Sequence, residues 1–256
     1  MVDRKISDFL YPLMILIGIV SALFLLEAFF KKCHLKKGTS TDYEIAICIS
    51  AAVGILFSVL VQNLYDFIDD PEHFSFSFGM TFFGGLFGGV LCFFLIYWIW
   101  LRRKYPDTLP YLLTVAGAAI PLAHGWGRIG CFIAGCCYGK EVDPSSPYSW
   151  LGVKFVTTDA KVLPTNLFEA IYLFAIAGVL IMFAFKTMDR RSLPLYCISY
   201  GIFRFLIEFL RGDYRGSFIP GITPSQFWSI LLIFFGLIYF AYLCKGKKAK
   251  LEIRND

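Results

Sequence analysis

HGWGRIGCFIAGCCYGK, residues 124–140, begins inside an apolar run and ends in a polar loop, which places it near one face of a membrane. At its centre Arg128 is flanked by Gly127 and Gly130, with no acid close by in sequence. An arginine at the centre of a bilayer helix costs at least ~2.5–3.5 kcal/mol on insertion scales, so a charge kept there implies a function. Gly127, Gly130 and Gly135 leave backbone accessible to another helix or to a ligand. The planar guanidinium suits a phosphate, which it can grip with two hydrogen bonds.

Working outward, the composition fits an all-α, polytopic integral membrane protein. The 256 residues are 57% hydrophobic and 18% aromatic, with 28 phenylalanines and only 17% charged residues. Mean hydropathy is +0.65, too apolar for a soluble domain. The net charge of +5 resides in short loops, so nucleic acid is not an expected partner. Seven runs reach spanning length, about residues 9–30, 43–64, 78–100, 109–134, 166–185, 193–210 and 223–244. The glycine-rich third run is expected to enter as a broken or partly re-entrant helix. No soluble domain fits between the runs. We therefore expect a single transmembrane domain over residues 1–256, with a long loop at about 135–165 and an N-terminus that is retained.

Orientation follows from the basic residues. The loops after the first, third, fifth and seventh runs hold 15 of the 24, and the opposite side holds seven. The positive-inside rule puts the N-terminus and the long loop outside and the C-terminus in the cytoplasm. The remaining two are Arg128 and Arg204, both inside predicted spans toward the outer leaflet. Tyr200, Arg204 and Glu208 recur at i, i+4 and i+8, along one helical face. Glu208 is then either a structural partner of Arg204 or part of a site. Two guanidiniums and one acid leave an excess positive charge that an anionic ligand would balance.

GRIGCFIAGCCYGK resembles the signature of the prolipoprotein diacylglyceryl transferases at Gly127, Arg128, Gly130, Phe132, Gly135, Tyr138 and Gly139. The block from Tyr200 through Arg204 and Glu208 to Arg211 is similar to that family's tyrosine–arginine block. FFGGLFGG, with Gly84 and Gly85, resembles its early glycine block. PTNLFEA at Pro164 and ITPSQF before the last span are similar to two further motifs. The resemblance implies a transferase in a bacterial cytoplasmic (inner) membrane. It moves the diacylglyceryl group of phosphatidylglycerol to the thiol of a lipobox cysteine in a prolipoprotein signal peptide, and glycerol-1-phosphate leaves. It also implies catalytic roles for Arg128, Arg204 and Tyr200, and substrate contacts from Gly84, Gly85, Gly127, Gly130, Tyr138, Gly139, Glu208 and Arg211. No cofactor is expected.

The chain departs from the family pattern. Phe83 and Leu163 stand where the family often has histidines, and Cys131, Ala134 and Cys136 replace polar signature residues. His124, one turn before Arg128, is then the candidate base, the alternative being that the arginines lower the substrate thiol's pKa unaided. Of eight cysteines, Cys131, Cys136 and Cys137 cluster in sequence. Packing is the default reading for them, with a disulfide as the alternative. No metal site is expected, because a zinc site wants a fourth ligand and only His124 is at hand. His73, after three aspartates, reads as part of a solvated loop. Two other functions remain open: a related phospholipid-group transferase with another acceptor, and a non-catalytic lipid-binding protein.

Overall fold

The computed structural model describes residues 4–72, 75–77, 82–212, 221–245 and 249–253, without the side chains of residues 4–8, 69, 82 and 83. His73, Arg215 and the side chain of Phe83 therefore lie outside the described residues. Seven long helices occur among them: α1 (Arg4–Lys32), α2 (Thr39–Asp69), α3 (Phe82–Ile96), α4 (Leu109–Ala134), α5 (Thr165–Thr187), α6 (Ser192–Ile207) and α7 (Pro224–Lys245). A π-turn at Tyr97–Leu101 and a last turn at Arg102–Lys104 prolong α3, and a 3-10 turn at Glu208–Leu210 prolongs α6. Six segments are long and apolar enough to cross a membrane: Phe9–Lys32, Thr39–Ile68, Gly84–Lys104, Thr165–Thr187, Ser192–Leu210 and Pro224–Lys245. The remaining long helix, α4, is the one diluted by His124, Arg128, two prolines and four glycines. No strand longer than an isolated bridge occurs among the described residues.

The chain forms two compact units, one of Met1–Cys33 with Pro110–Ile253, the other built on His34–Leu109. In the second unit α2 and α3 are antiparallel, and their contact explains the glycine block. A Cβ on Gly54 would lie 2.8 Å from the Gly85 carbonyl oxygen, and one on Gly88 would lie 2.5 Å from Phe57 Cβ. Hydrophobic exclusion gives little drive between helices in lipid, so close backbone approach through small residues is what holds such a pair. Residues 78–81, where the run is expected to enter as a broken or partly re-entrant helix, lie outside the described residues, and no break occurs from Phe82 to Ile96. From Phe82 the glycine stretch is continuous α-helix, because its glycines are packed against α2, and the irregular turn comes later, at Tyr97–Leu101.

In the first unit small residues again set the contacts. Gly18 of α1 meets Ala123 of α4, and Tyr11 and Met14 meet Gly130, so these two helices run antiparallel. Gly117 of α4 presses on the backbone of Ser192 and Leu193, where a Cβ would lie 2.4 Å from the Leu193 nitrogen. The Ser192 hydroxyl donates to the Thr114 carbonyl at the same level. Gly201 and Gly236 join α6 to α7, also antiparallel. Residues between α4 and α5 are ordered by backbone bonds that include Val153 to Val162 at 3.0 Å and Gly139 to Leu163 at 2.8 Å.

Candidate active site

Three helices of the first unit bring ionisable side chains to one place. On α4, His124 and Arg128 are one turn apart on the same face. The Arg128 Nε–H donates to His124 Nε2 at 3.1 Å, which occupies that nitrogen's lone pair and leaves the imidazole proton on Nδ1. On α5 the buried stripe Asn166, Glu169, Ala170, Leu173, Ala177, Leu180 and Ala184 follows helical spacing. One of its members is charged. The Glu169 side chain is only 1% exposed, and its Oε2 lies 3.2 Å from Arg128 Nε and 3.9 Å from Arg204 Nη1. Its Oε1 accepts the Tyr200 hydroxyl at 2.7 Å and lies 3.9 Å from His124 Nε2.

On α6, Tyr196, Tyr200, Arg204 and Glu208 form the stripe that faces this carboxylate. Tyr200 stacks on Tyr196 with ring centroids 5.6 Å apart and meets the His124 ring edge-on at 5.3 Å. Arg204 Nη2 pairs with Glu208 Oε2 at 2.9 Å and donates to the Ser225 hydroxyl at 2.9 Å. The start of α7 fixes Glu208. Thr223 and Gln226 make reciprocal bonds, side chain to backbone amide, at 3.2 and 3.1 Å, the capping box that a Thr-x-x-Gln sequence encodes. The Thr223 hydroxyl donates onward to Glu208 Oε1 at 3.0 Å. Arg204 Nη1 is buried with no hydrogen-bond acceptor among the described residues.

The structure thus unites His124, Arg128, Tyr200, Arg204 and Glu208, as the sequence suggested, and adds Glu169, which was not selected. The expected excess of positive charge is corrected: two arginines face two glutamates. Glu169 stood in the PTNLFEA block, and the insertion cost that singled out Arg128 applies equally to a carboxylate in an apolar run.

The other expected residues sit elsewhere. Gly127 opens onto empty space, whereas Gly130 is held against α1. Tyr138 stacks on Phe155 at 5.9 Å. Gly139 is packed against Leu210, Thr165 and Leu163, where a Cβ would meet the Leu210 carbonyl oxygen at 2.6 Å. Arg211 is buried just past the 3-10 turn. Gly84 and Gly85 belong to the second unit; Gly84 is buried, and a Cβ on Gly85 would lie 3.5 Å from the Gly54 carbonyl oxygen of α2.

At the end of α4 the three cysteines converge. All their sulfurs lie within 4.8 Å of one another, and none is in a disulfide. Hydrogen bonds from the Cys131 and Cys136 thiols, with Arg128 and Arg211 nearby, hold the Cys137 thiol below its ordinary pKa.

Buried, mutually paired charges on three adjoining helices, in a chain with six membrane-length segments, define a polytopic membrane protein with a polar site inside its helical core. More narrowly, residues 5–242 match the prolipoprotein diacylglyceryl transferase family, and the chain belongs to that family. A phosphatidylglycerol–prolipoprotein diacylglyceryl transferase of Clostridium tetani is 31% identical over 236 residues, 90% of this chain and 91% of its own length. Enzyme 2 of that name from Clostridium perfringens is 32% identical over 250 residues, covering 93% and 92%. One from Dehalococcoides mccartyi is 26% identical over 232 residues, covering 84% and 83%.

Proposed function

We propose that this protein transfers the diacylglyceryl group of phosphatidylglycerol to the thiol of a lipobox cysteine in a prolipoprotein. The reaction takes place in a bacterial cytoplasmic membrane and releases glycerol-1-phosphate. The observation that carries this reading is the Arg128–Glu169–Arg204 cluster, with the buried Arg204 Nη1 lacking a hydrogen-bond acceptor among the described residues and Gly127 bordering open space. A lipid phosphodiester supplies the acceptor that Nη1 lacks, and two guanidiniums stabilise the charge that grows on the departing phosphate. Tyr200 orients that phosphate or the carboxylate beside it. Glu169 and His124 are the groups within the cluster able to take the thiol's proton. Both are engaged before substrate enters: His124 Nε2 accepts from Arg128, Glu169 Oε1 accepts from Tyr200, and Glu169 Oε2 lies 3.2 Å from Arg128 Nε.

In this reading the chain crosses the membrane seven times with its N-terminus outside. The fourth crossing is α4, which runs antiparallel to α1 and α5 and parallel to α6, the alternation that seven crossings require. The cluster then lies toward the outer leaflet, and the loop at about 135–165 covers it from outside. The test is direct. Purified protein is incubated with phosphatidylglycerol labelled in its acyl chains and a lipobox peptide, and the products are separated. Lipidated peptide together with glycerol phosphate is expected. Lipid bound but never transferred would leave a non-catalytic lipid-binding protein, and transfer to another acceptor would make it a relative of different specificity.

A further inference from the structure

Gly201 brings α7 against α6 one turn before Arg204: a Cβ there would lie 3.0 Å from the Ser229 carbonyl oxygen. The two helices are antiparallel, so the residue one turn before Ser229 comes level with Arg204. That residue is Ser225. Its hydroxyl accepts from Arg204 Nη2 at 2.9 Å, the one hydrogen bond that the guanidinium makes among the described residues. Glu208 Oε2 is also 2.9 Å from that nitrogen, yet it accepts no hydrogen bond among the described residues. Glu208 therefore supplies charge with little direction, whereas an aligned N–H···O bond weakens steeply as it is turned off its axis. The direction comes from Ser225.

The start of α7 does not call on this hydroxyl for itself. Thr223 and Gln226 close the capping box between them. Pro224, the first residue of the helix, has its φ fixed by its ring and steadies the backbone that carries Ser225. We propose that Ser225 is a positioning residue for Arg204, holding the guanidinium by Nη2 so that Nη1 is presented to the phosphate of the lipid. This rests on the transferase reading above. Nη1 is buried with no hydrogen-bond acceptor among the described residues, and at 3.9 Å from Glu169 Oε2 it is too far for a hydrogen bond there. Turning the guanidinium about its Nε–Cζ bond would break the bond to Ser225 and carry Nη1 away from this place.

Ser225→Ala separates charge from direction. The Arg204–Glu208 pair and the capping box both remain, so the lipid phosphate is still attracted, and the KM for phosphatidylglycerol should stay within about twofold of wild type. What is lost is the aim of Nη1 at the phosphate oxygens as charge grows on them. The kcat should therefore drop roughly 10-fold, the worth of one hydrogen bond to a charged group. Ser225→Thr keeps the hydroxyl and should recover kcat to within about threefold of wild type.

The test measures kcat and KM on the full-length protein with phosphatidylglycerol and a lipobox peptide. The same proteins, isotopically labelled in arginine, are examined by nitrogen NMR of the guanidinium groups, with Arg204 assigned by the loss of its signals in Arg204→Lys. Wild type should give separate Nη1 and Nη2 signals for Arg204, and Ser225→Ala a single averaged one. Should Ser225→Ala not fold, Ser225→Cys, similar in size and a poorer acceptor, takes its place. An unchanged kcat in that variant overturns the proposal, and so does a lower kcat with the two signals still separate. An averaged signal in wild type, or a Ser225→Thr as impaired as Ser225→Ala, overturns it equally. Wild-type protein that transfers nothing to the peptide would remove the transferase reading, while signals that merge on loss of the hydroxyl would still uphold Ser225 as the group that orients Arg204.

Discussion

Glu169→Gln is the substitution that tests the site most sharply, because it preserves shape and removes one charge. The carboxylate is 3.2 Å from the Arg128 guanidinium and 3.9 Å from that of Arg204. With an effective dielectric constant near 20, these contacts are worth ~5 and ~4 kcal/mol. Since both arginines bind the same oxygen, their nearest nitrogens are no more than about 7 Å apart, and their repulsion on the same scale is at least ~2 kcal/mol. The glutamine keeps an acceptor for Tyr200 but leaves Arg128 without its carboxylate, while Arg204 retains Glu208. Relaxation and water entry recover part of the loss, so the net destabilisation should be about 3–5 kcal/mol, the usual result of removing one member of a buried pair. In detergent micelles this corresponds to a fall in Tm on the order of 10 °C. Transfer to a lipobox peptide should fall by at least ~100-fold even well below that Tm, because the variant loses a candidate base. Combining it with Arg128→Met should restore part of the stability but none of the transfer, with a coupling energy above ~1 kcal/mol. Stability and transfer both within twofold of wild type would refute the placement of Glu169 at the centre. So would strict additivity in the cycle.

Other consequences are open to measurement. Arg128→Lys keeps the charge but loses the fork, so transfer should drop on the order of 100-fold with circular dichroism and Tm nearly unchanged. Thr223→Val removes the capping hydroxyl and the bond to Glu208 together, and should cost ~1–2 kcal/mol in thermal unfolding while lowering transfer only a fewfold. Gly117→Ala places a methyl group into the backbone of Ser192 and Leu193; an overpacking cost of ~1–3 kcal/mol or more should appear as lower yield and Tm. Phosphatidylglycerol should co-purify in preference to phosphatidylethanolamine, and equal retention of both would count against selective binding of this lipid at the cluster.

Spans were readable because an apolar run about 20 residues long has few alternatives in lipid; the fourth expected run and α4 share both ends, Leu109 and Ala134. The glycine block was harder. The same glycines that suggested a broken helix are what allow α3 to lie against α2 unbroken, and sequence does not say whether a glycine is exposed to a ligand or covered by a neighbour. The site was legible where spacing is local: His124 with Arg128, and Tyr200, Arg204 and Glu208 along one face, all follow from the helical repeat. Glu169 lies 41 residues from Arg128 and 35 from Arg204 in sequence, and no local period links it to either. Its place in PTNLFEA, the insertion cost of a carboxylate and charge balance were the signals that could have found it. Counting the acids together with the cations at the outer-leaflet ends of the runs sets Glu169 beside Arg128, Arg204 and Glu208, with Glu208 already paired by its spacing to Arg204.

The cysteines went the other way. Their spacing of five and one matches no familiar metal motif, and a missing fourth ligand argued against an ion. The helix cap adds what spacing does not show, since it is the Schellman turn that sets Cys136 against Cys131.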